Sequence, residues 1–481
     1  MTRLVIIGNG MVGSRFTADL LDADHAGRYT IDHFGAESGS PYNRVLLSDV
    51  VSGGTDLGGI TLPQATDSRL RVHAGRAITM IDREDRVVIG ADGSRTRYDQ
   101  LVLATGARAR VPALDGLPAH ADLPRGVRTL RTIDDARGLL AACANAHRAV
   151  VLGAGVLGLE IACGLARRGI AVTIVHPKAT MMERQLDESA GSALAATLTT
   201  LRITVRRAVA ATRVVLDDHD AVRGIALANG EEIGCDLLVI AAGAVPDIDL
   251  AARSGLATGR GVLVSDTMQS VSDTRVFAIG DCAEPPGGHA GLVAQGWGHA
   301  RRLVARLTGI SPAPDGPAAD DIVRLKAPGL DVLTMGVCGV ARPALPGHRT
   351  VVISDPAVGR HVELVLHEDR LVGATCVGSG RLAGQLLTTY SLRTPLPRDP
   401  LALLLDRSAF AGASSADSAG LVCRCNSVTR ERLQEAIADG AADLDDLAAS
   451  TRAGTGCGGC RAELCELLES RAGGQPAVKA I

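Results

Sequence analysis

The chain of 481 residues is long enough for roughly two to four domains, and its 46% hydrophobic and 21% charged residues exclude disordered and fibrous classes. A net charge of -3 supplies no basic field, so we expect neither nucleic acid nor anionic lipid as a partner. No stretch reaches the ~20 apolar residues of a membrane helix, and the apolar run Leu4 to Ile7 is too short for a signal peptide, so the sequence predicts a cytoplasmic protein.

The first predicted strand, Leu4 to Ile7, leads into a glycine motif and then a helix. Gly8, Gly10 and Gly13 form the pattern G-x-G-x-x-G. Its first glycine makes a tight turn, its second lets the backbone approach a pyrophosphate, and its third lets the helix pack on the strand. The next predicted strand, YTIDHFGAE, ends at Glu37, whose carboxylate can accept from ribose hydroxyls. The pattern predicts a dinucleotide site; the alternative is a glycine-rich turn without a ligand.

The same unit returns after the strand Ala149 to Leu152, with Gly153, Gly155 and Gly158 in the glycine positions. Two such units predict two dinucleotides, as hydride exchange between a flavin and a nicotinamide requires. The second unit has His176 where an NAD site usually has a carboxylate, and Lys178 follows it. A basic pair suits a 2′-phosphate, so the sequence favours NADPH; the alternative is an adenosine end held by other groups.

Short β-branched runs alternate with helical patterns up to about residue 310, which predicts parallel sheets covered by helices. Residues 322 to 405 instead predict an antiparallel meander followed by a helix. Two stretches rich in small, polar or proline residues, Thr308 to Asp321 and Ala411 to Gly420, are predicted linkers.

Four further segments carry a resemblance: YDQLVLATGA from Tyr98, DLLVIAAGAVPD from Asp236, DTRVFAIGDCAE from Asp273 and PYNRVLLSD from Pro41. Together with the paired glycine motifs they resemble the FAD-dependent pyridine nucleotide-disulfide oxidoreductases, in particular the rubredoxin-reductase and nitrite-reductase branch. The resemblance implies a site made of these residues: Arg44 and Ser48 beside the flavin, Thr105 and Gly106 at its phosphates, Asp281 on its ribityl chain, Gln295 and Gly296 near its ring system, and Glu160 and Gly243 at the nicotinamide.

The cysteines indicate where electrons leave. None precedes Cys143, so a redox-active pair beside the flavin is not expected. Near the other end, Cys423 and Cys425 form CxC, and Cys457 and Cys460 form CxxC within GTGCGGC. Four thiolates in two pairs can hold an iron-sulfur cluster or a structural zinc, and the tight CxC spacing favours the cluster. The setting also resembles bacterioferritin-associated ferredoxin, which implies a [2Fe-2S] centre on these four cysteines.

The predicted fold is α/β, with two Rossmann-like dinucleotide-binding domains, an α+β third domain and a small helical iron-sulfur domain. The predicted limits are 1–112 with 243–310 for FAD, 113–242 for NAD(P), 321–410 for the α+β interface domain and 421–472 for the [2Fe-2S] domain.

The resemblance implies electron flow from NAD(P)H through FAD and [2Fe-2S] to a molybdenum-containing nitrate reductase catalytic subunit in nitrate assimilation, or to another redox protein. No catalytic acid or base is predicted, and a homodimer is possible on this pattern. The alternatives are a stand-alone rubredoxin or ferredoxin reductase, a cluster module for docking or iron handling, and a zinc-stapled diaphorase.

Overall fold

The computed structural model describes residues 1–117, 122–288, 291–310, 321–340, 346–404, 420–423, 426, 428–456 and 458–472. The first part contains β1 (Thr2–Ile7), α1 (Met11–Ala23), β2 (Tyr29–Gly35), α2 (Leu47–Ser52), β3 (Leu70–Ala74), β4 (Ile78–Asp82), β5 (Val87–Gly90), β6 (Arg95–Arg97), β7 (Gln100–Leu103) and β8 (Ala107–Ala109). The second contains β9 (Val127–Arg128), α3 (Ile133–Cys143), β10 (Arg148–Leu152), α4 (Val156–Arg167), β11 (Ala171–His176), α5 (Glu188–Thr200), β12 (Thr204–Arg207), β13 (Ala211–Leu216), β14 (Val222–Leu227), β15 (Glu232–Gly234), β16 (Leu237–Ile240), β17 (Ala244–Pro246), α6 (Asp249–Arg253), β18 (Val262–Leu263), β19 (Val276–Ala278), β20 (Ala283–Glu284) and α7 (Val293–Thr308). The third contains β21 (Val323–Ala327), β22 (Leu330–Gly336), β23 (His348–Asp355), β24 (Arg360–His367), β25 (Arg370–Val377), α8 (Gly380–Ser391), β26 (Leu421–Cys423), β27 (Val428–Thr429), α9 (Arg430–Ala438), α10 (Leu444–Thr451) and α11 (Arg461–Ala472).

Two parallel five-stranded sheets carry the two glycine motifs. The first has the order β19-β7-β1-β2-β3, and the second has the order β12-β11-β10-β16-β9. Their central strands β1 and β10 are buried along most of their length because both faces are covered, which explains the continuous apolar runs in the sequence. On one face of β10, Val151 packs in a core with Leu159 of α4; on the other, Val150 packs in a core with Ile225 of the antiparallel sheet β13-β14-β15. The predicted pair of Rossmann-like units is confirmed. Strand β2 ends at Gly35, two residues before the predicted end at Glu37.

The third sheet is antiparallel, with the order β21-β22-β25-β24-β23. One face packs Leu333 and Leu364 against Leu386 of α8. The opposite face packs Val332 and Val377 into the same core as Leu194 of α5. The predicted α+β part is therefore confirmed, and its sheet is wedged between its own helix and the second parallel-sheet unit.

The last part of the chain is a small unit of one β-ladder and three helices. Strands β26 and β27 pair antiparallel, and α9, α10 and α11 enclose a core that includes Leu433, Leu447 and Leu464. Cys423 and Cys460 belong to this core. A small helical unit is thus present where the sequence predicts the cluster, while the predicted limits of the four domains stay a prediction.

Candidate functional site

The first glycine loop connects β1 to α1 and cannot accept side chains at two positions. Gly8 has φ +117°, and a Cβ there would lie 2.1 Å from the carbonyl oxygen of Ala104. A Cβ on Gly13 would lie 2.0 Å from the carbonyl oxygen of Gly8. Gly10, the N-cap of α1, instead has only the Arg44 side chain nearby. The loop therefore packs against the protein at Gly8 and Gly13 and is open at Gly10. That geometry suits a phosphate at a helix N-terminus.

The second loop, between β10 and α4, repeats this geometry. Gly153 has φ +113°, and its Cβ would lie 2.4 Å from the carbonyl oxygen of Ala241. A Cβ on Gly158 would lie 2.0 Å from the carbonyl oxygen of Gly153, whereas one on Gly155 would meet nothing within 4 Å. The chain therefore builds two equivalent glycine cradles whose geometry suits a dinucleotide.

Both loops open into one continuous cavity of about 1600 Å³. Typical pockets for one small ligand measure about 300–1000 Å³, so the space fits two dinucleotides. Predicted residues that line it are Gly8, Gly10, Glu37, Arg44, Thr105, Gly106, Asp281, Gly153, Gly155, Glu160, His176, Lys178, Gly243 and Cys460. Those that do not line it are Gly13, Ser48, Gly158, Gln295, Gly296 and Cys423.

Some of the second group support the cavity wall from behind. Gly296 lies in the first turn of α7, where a Cβ would be 2.6 Å from the Val12 side chain. Leu292 and Val293, beside it, line the cavity. Gly296 therefore lets α7 pack closely against α1, and its predicted place near the flavin ring stays a prediction.

Glu37 is held by two side chains of the PYNRVLLSD segment. The Tyr42 hydroxyl donates to Glu37 Oε2 at 2.7 Å, and Arg44 forms an ion pair with Glu37. The Arg44 guanidinium also lies 4.8 Å from the centre of the Tyr42 ring. Burial raises the pKa of Tyr42, so its hydroxyl stays a donor. These contacts fix the carboxylate at the cavity wall, and it keeps lone pairs for ribose hydroxyls.

Arg131 is a cavity residue that the sequence analysis missed. Its Nη2 donates to Asp281 Oδ2 at 2.6 Å, and its Nε donates to the carbonyl oxygen of Ala107 at 2.9 Å. Thr105 is fixed in a similar way, because its hydroxyl donates to the carbonyl oxygen of Asp247 at 2.7 Å. The sequence gives no signal that separates Arg131 from the many other arginines.

Glu160 is a buried carboxyl at the wall between the two cradles. Ser48 Oγ donates to Glu160 Oε2 at 2.5 Å, and the Lys326 backbone N–H donates to Glu160 Oε1 at 3.0 Å. Burial raises the pKa of Glu160, although nearby Lys326 opposes that shift. The Lys326 ammonium lies 3.6 Å from Asp49 Oδ2 and donates to the carbonyl oxygen of Val45 at 2.6 Å. The sequence contains only three lysines, and this rarity was the one available signal for Lys326.

His176 supports the second glycine loop. Its Nδ1 accepts a hydrogen bond from the Ala154 backbone N–H at 3.2 Å. Its Nε2 lies 3.4 Å from Glu183 Oε2, so a carboxylate that the sequence analysis missed stands beside the predicted 2′-phosphate site. Lys178 is exposed at the cavity edge. The preference for NADPH over NADH stays a prediction.

The cysteine unit docks against the first parallel-sheet unit. Asn43 Nδ2 donates to the carbonyl oxygens of Thr455 at 2.9 Å and Gly456 at 2.6 Å. Gly458 has φ +76°, and a Cβ there would lie 2.5 Å from Leu46. Cys460 follows and lines the cavity shared by the two cradles. Asn43 and Leu46 flank Arg44, so the docked loop lies beside the predicted flavin site.

Polar contacts hold the rest of this interface. Arg15 Nη1 donates to Asn426 Oδ1 at 2.8 Å, and Asn426 Nδ2 in turn lies 3.7 Å from Cys423 Sγ. Arg452 pairs with Asp19 of α1 at 2.5 Å. Cys423 and Cys460 are buried, whereas Cys425 and Cys457 lie outside the described residues. A buried thiol at the end of β26 and a second one beside the glycine-bearing loop fit a metal centre at this position.

Three of the scattered cysteines are unsuited to redox exchange. Cys163, Cys235 and Cys376 are buried, and burial raises the pKa of each thiol to about 12. A thiol attacks a disulfide as the thiolate, which such a pKa suppresses at neutral pH. The thiols of these three residues therefore act as small apolar core groups.

None of the helices within the ranges given above has the length and apolar character needed to cross a membrane.

Comparison with known proteins identifies families that match the glycine cradles and the cysteine unit. The family described as pyridine nucleotide-disulphide oxidoreductase matches residues 2–302, and the BFD-like [2Fe-2S] binding domain matches residues 421–470. The chain is 32% identical to the nitrite reductase [NAD(P)H] of Bacillus subtilis, over 98% of this chain and 58% of that protein. It is 30% identical to the assimilatory nitrate reductase electron transfer subunit of Bacillus subtilis, over 97% of this chain and 59% of that protein.

The chain thus spans a little more than half the length of these curated relatives. Among solved structures, a ferredoxin reductase from Rhodopseudomonas palustris matches with 27% identity and a TM-score of 0.70, over 82% of this chain and 96% of that one. The glycine cradles, the shared cavity and the buried cysteines fit the cofactors of these families. The chain belongs to the pyridine nucleotide-disulphide oxidoreductase family, as an FAD-dependent NAD(P)H oxidoreductase with a C-terminal [2Fe-2S] domain.

Proposed function

We propose that this chain passes electrons from NAD(P)H through FAD and a [2Fe-2S] cluster to the molybdenum-containing catalytic subunit of an assimilatory nitrate reductase. One observation carries the proposal: Cys460 lines the same cavity as the two glycine cradles. The relative named as an assimilatory nitrate reductase electron transfer subunit supports the choice of acceptor.

Each part of the cavity has a task in this proposal. The N-termini of α1 and α4 would hold the two pyrophosphates, and Glu37 would accept from the FAD ribose. Arg44, fixed by Glu37 and Tyr42, would lie beside the flavin, and Asp281, held by Arg131, would contact the ribityl chain. Glu160, anchored by Ser48 and by the Lys326 backbone, would form the wall of the nicotinamide site. When bound, FAD takes up the electron pair of a hydride and a [2Fe-2S] cluster carries single electrons.

The docked cysteine unit lies beside the proposed flavin wall. Asn43 holds the backbone just before Cys457, and Cys423 with Cys425, Cys457 and Cys460 is the proposed ligand set. Because Asn43 is the neighbour of Arg44, one segment forms both the flavin wall and the docking surface. This arrangement favours electron transfer within the chain over direct reduction of an external acceptor by the flavin.

For the nicotinamide we propose a modest preference for NADPH. Lys178 can pair with a 2′-phosphate at the cavity edge, whereas the Glu183 carboxylate beside His176 opposes a second negative charge. The two effects act in opposite directions, so the preference should be about tenfold or less.

The decisive experiment compares Cys460→Ser with Cys465→Ser in anaerobically purified protein. Cys465 is five residues further along the chain on α11, is half-buried, and is outside the proposed ligand set, which makes it a matched control. We expect Cys460→Ser to keep flavin reduction by NAD(P)H but to lose reduction of the nitrate reductase catalytic subunit. Cys465→Ser should keep both activities.

Metal analysis and a choice of acceptors separate the alternatives. Two irons and two acid-labile sulfides per chain support the proposed cluster, whereas one zinc without sulfide contradicts it. Faster reduction of rubredoxin or a free ferredoxin than of nitrate reductase would instead favour a stand-alone reductase. Unchanged nitrate reductase activity in Cys460→Ser would leave the cysteine unit a docking or iron-handling element.

A further inference from the structure

A buried polar cluster lies where α5 packs on the third sheet. The packed face is otherwise apolar, with Val332 and Val377 in one core with Leu194. His361 and Glu363 of β24 point to this same face, because they alternate with Val362 and Leu364 of the opposite core. Their relative exposures are 1% and 2%. Burying a titratable side chain this deeply costs its hydration free energy unless a hydrogen bond, an opposite charge or a metal ion compensates for the loss.

Several buried polar atoms in this cluster lack a partner among the described residues. Thr334, Thr375 and Glu363 stand side by side on β22, β25 and β24, since Thr334 pairs with Thr375 and Thr375 pairs with Glu363 in the ladder. Thr334 Oγ1, Thr375 Oγ1 and His361 Nε2 have no hydrogen-bond partner in the described part of the chain. Three such atoms on one apolar face point to a bound group with polar character.

The second parallel-sheet unit adds a carboxylate from α5. Asp187 is the N-cap of α5, and its Oδ1 accepts from the Ala190 backbone N–H at 2.8 Å. One ligand atom from each of Asp187, His361 and Glu363 lies within 4.8 Å of those of the other two. Ligand atoms around a divalent ion at about 2.0–2.2 Å stand roughly 3–4 Å apart, so small side-chain movements would close a site.

The imidazole of His361 is oriented by a neighbouring side chain so that one ring nitrogen can bind a metal ion. Its Nδ1 lies 3.0 Å from Ser354 Oγ on the paired strand β23, which leaves Nε2 as the coordinating nitrogen. An imidazole oriented through its other nitrogen is the usual arrangement of a histidine metal ligand.

We infer that Asp187, His361 and Glu363 form a binding site for a divalent transition metal ion such as Zn²⁺, with the Thr375 and Thr334 hydroxyls in its surroundings. The ion would join the N-terminus of α5 to strand β24 and so fix the nicotinamide-binding unit to the third sheet. The ligand set of one nitrogen and two carboxylates suits Zn²⁺ or Mn²⁺.

Zn²⁺ binding to the full chain tests this site. Metal-stripped protein is equilibrated with ZnCl₂, and bound zinc per chain is measured by mass spectrometry for wild type, His361→Gln and Asp187→Asn. Asn keeps the cap on α5, so Asp187→Asn should fold even if His361→Gln does not, and the flavin spectrum reports folding. His147→Gln is the matched control, because His147 is exposed beside the single carboxylate of Asp236.

We expect wild type and His147→Gln to bind one zinc more than either site variant, and zinc to raise the melting temperature of these two proteins by more than it raises that of the site variants. Zinc taken up by the four cysteines would be the same in all four proteins, so it would not mimic this result. Equal zinc in wild type and Asp187→Asn, or no shift in the wild-type melting temperature, would overturn the proposal.

Discussion

The substitution Asn43→Asp tests whether the docked position of the cysteine unit carries electron transfer. Asn43 is 1% exposed and makes two kinds of contact. Its Oδ1 accepts from the Val45 backbone N–H at 3.1 Å, and its Nδ2 donates to the carbonyl oxygens of Thr455 and Gly456. Aspartate keeps the oxygen that caps Val45 but replaces the donor with a second acceptor. The change therefore removes the docking contact and preserves the local turn.

The magnitude follows from the two lost hydrogen bonds. Each contributes about 0.5–1.5 kcal/mol, and each carbonyl left unsatisfied in a buried interface costs about 1 kcal/mol or more. Docking should weaken by about 2–4 kcal/mol, which lowers the ratio of docked to undocked chains by about 30-fold or more. Flavin reduction by NAD(P)H should be unaffected, because the cradles and Glu37 keep their contacts.

Stopped-flow absorbance under anaerobic conditions separates the two steps. We expect bleaching of the flavin at the wild-type rate and reduction of the cluster at least about tenfold slower. Asn229→Asp is the matched control, because Asn229 Oδ1 caps the Glu231 N–H in a turn remote from the interface. Cluster reduction in Asn43→Asp at the wild-type rate would refute the argument that this contact holds the transferring state.

Three further predictions concern the interface, the first cradle and the nicotinamide. Arg452→Ala should slow cluster reduction by up to about fivefold at low salt and have little effect at about 0.5 M salt, because the ion pair with Asp19 is partly exposed and salt screens it. A titration of the reduction rate with salt checks this. Burial lowers the pKa of His33, which contacts the Gly8 carbonyl oxygen through Nε2, to about 4 from an ordinary 6.5. Because the unfolded chain takes up this proton first, the free energy of unfolding should fall by up to about 3 kcal/mol as the pH drops from 6.5 to 4. Denaturant titrations at several pH values across that range should show that the unfolding free energy of His33→Gln depends less on pH than that of wild type. Lys178→Ala should lower kcat/KM for NADPH by about tenfold or less and leave that for NADH unchanged in steady-state assays, and equal losses for both would contradict a phosphate contact.

The parts of the site that could be predicted are those encoded by neighbouring residues. Gly8 and Gly13 are close in sequence, and their geometry depends on a strand, a turn and a helix that follow one another directly. The same holds for Gly153 and Gly158. The two cysteine pairs are also local patterns, so the sequence predicts the cysteine unit in the segment that the [2Fe-2S] binding domain matches.

The contacts that could not be predicted join residues far apart in the chain. Asn43 and Thr455 are 412 residues apart, and Glu160 and Lys326 are 166 residues apart. Their pairing depends on how separate sheets and the cysteine unit pack against one another. No periodic pattern in the sequence contains that information. His176 shows a related limit, because its position at the end of a strand indicates a cofactor contact, whereas its Nδ1 supports the Ala154 backbone.

The glycines of GTGCGGC have a second function that the sequence analysis did not predict. Glycines beside cluster ligands let a loop wrap tightly around the cluster, but Gly458 also lies against Leu46, where a Cβ would come within 2.5 Å. Its φ of +76° adds a cost of about 1–2 kcal/mol for any other residue. Alanine at this position should therefore disturb docking as well as the loop itself. The same glycine would let the cluster loop form and bring it against the wall of the flavin cavity, so cluster binding and electron entry would be coupled through one residue.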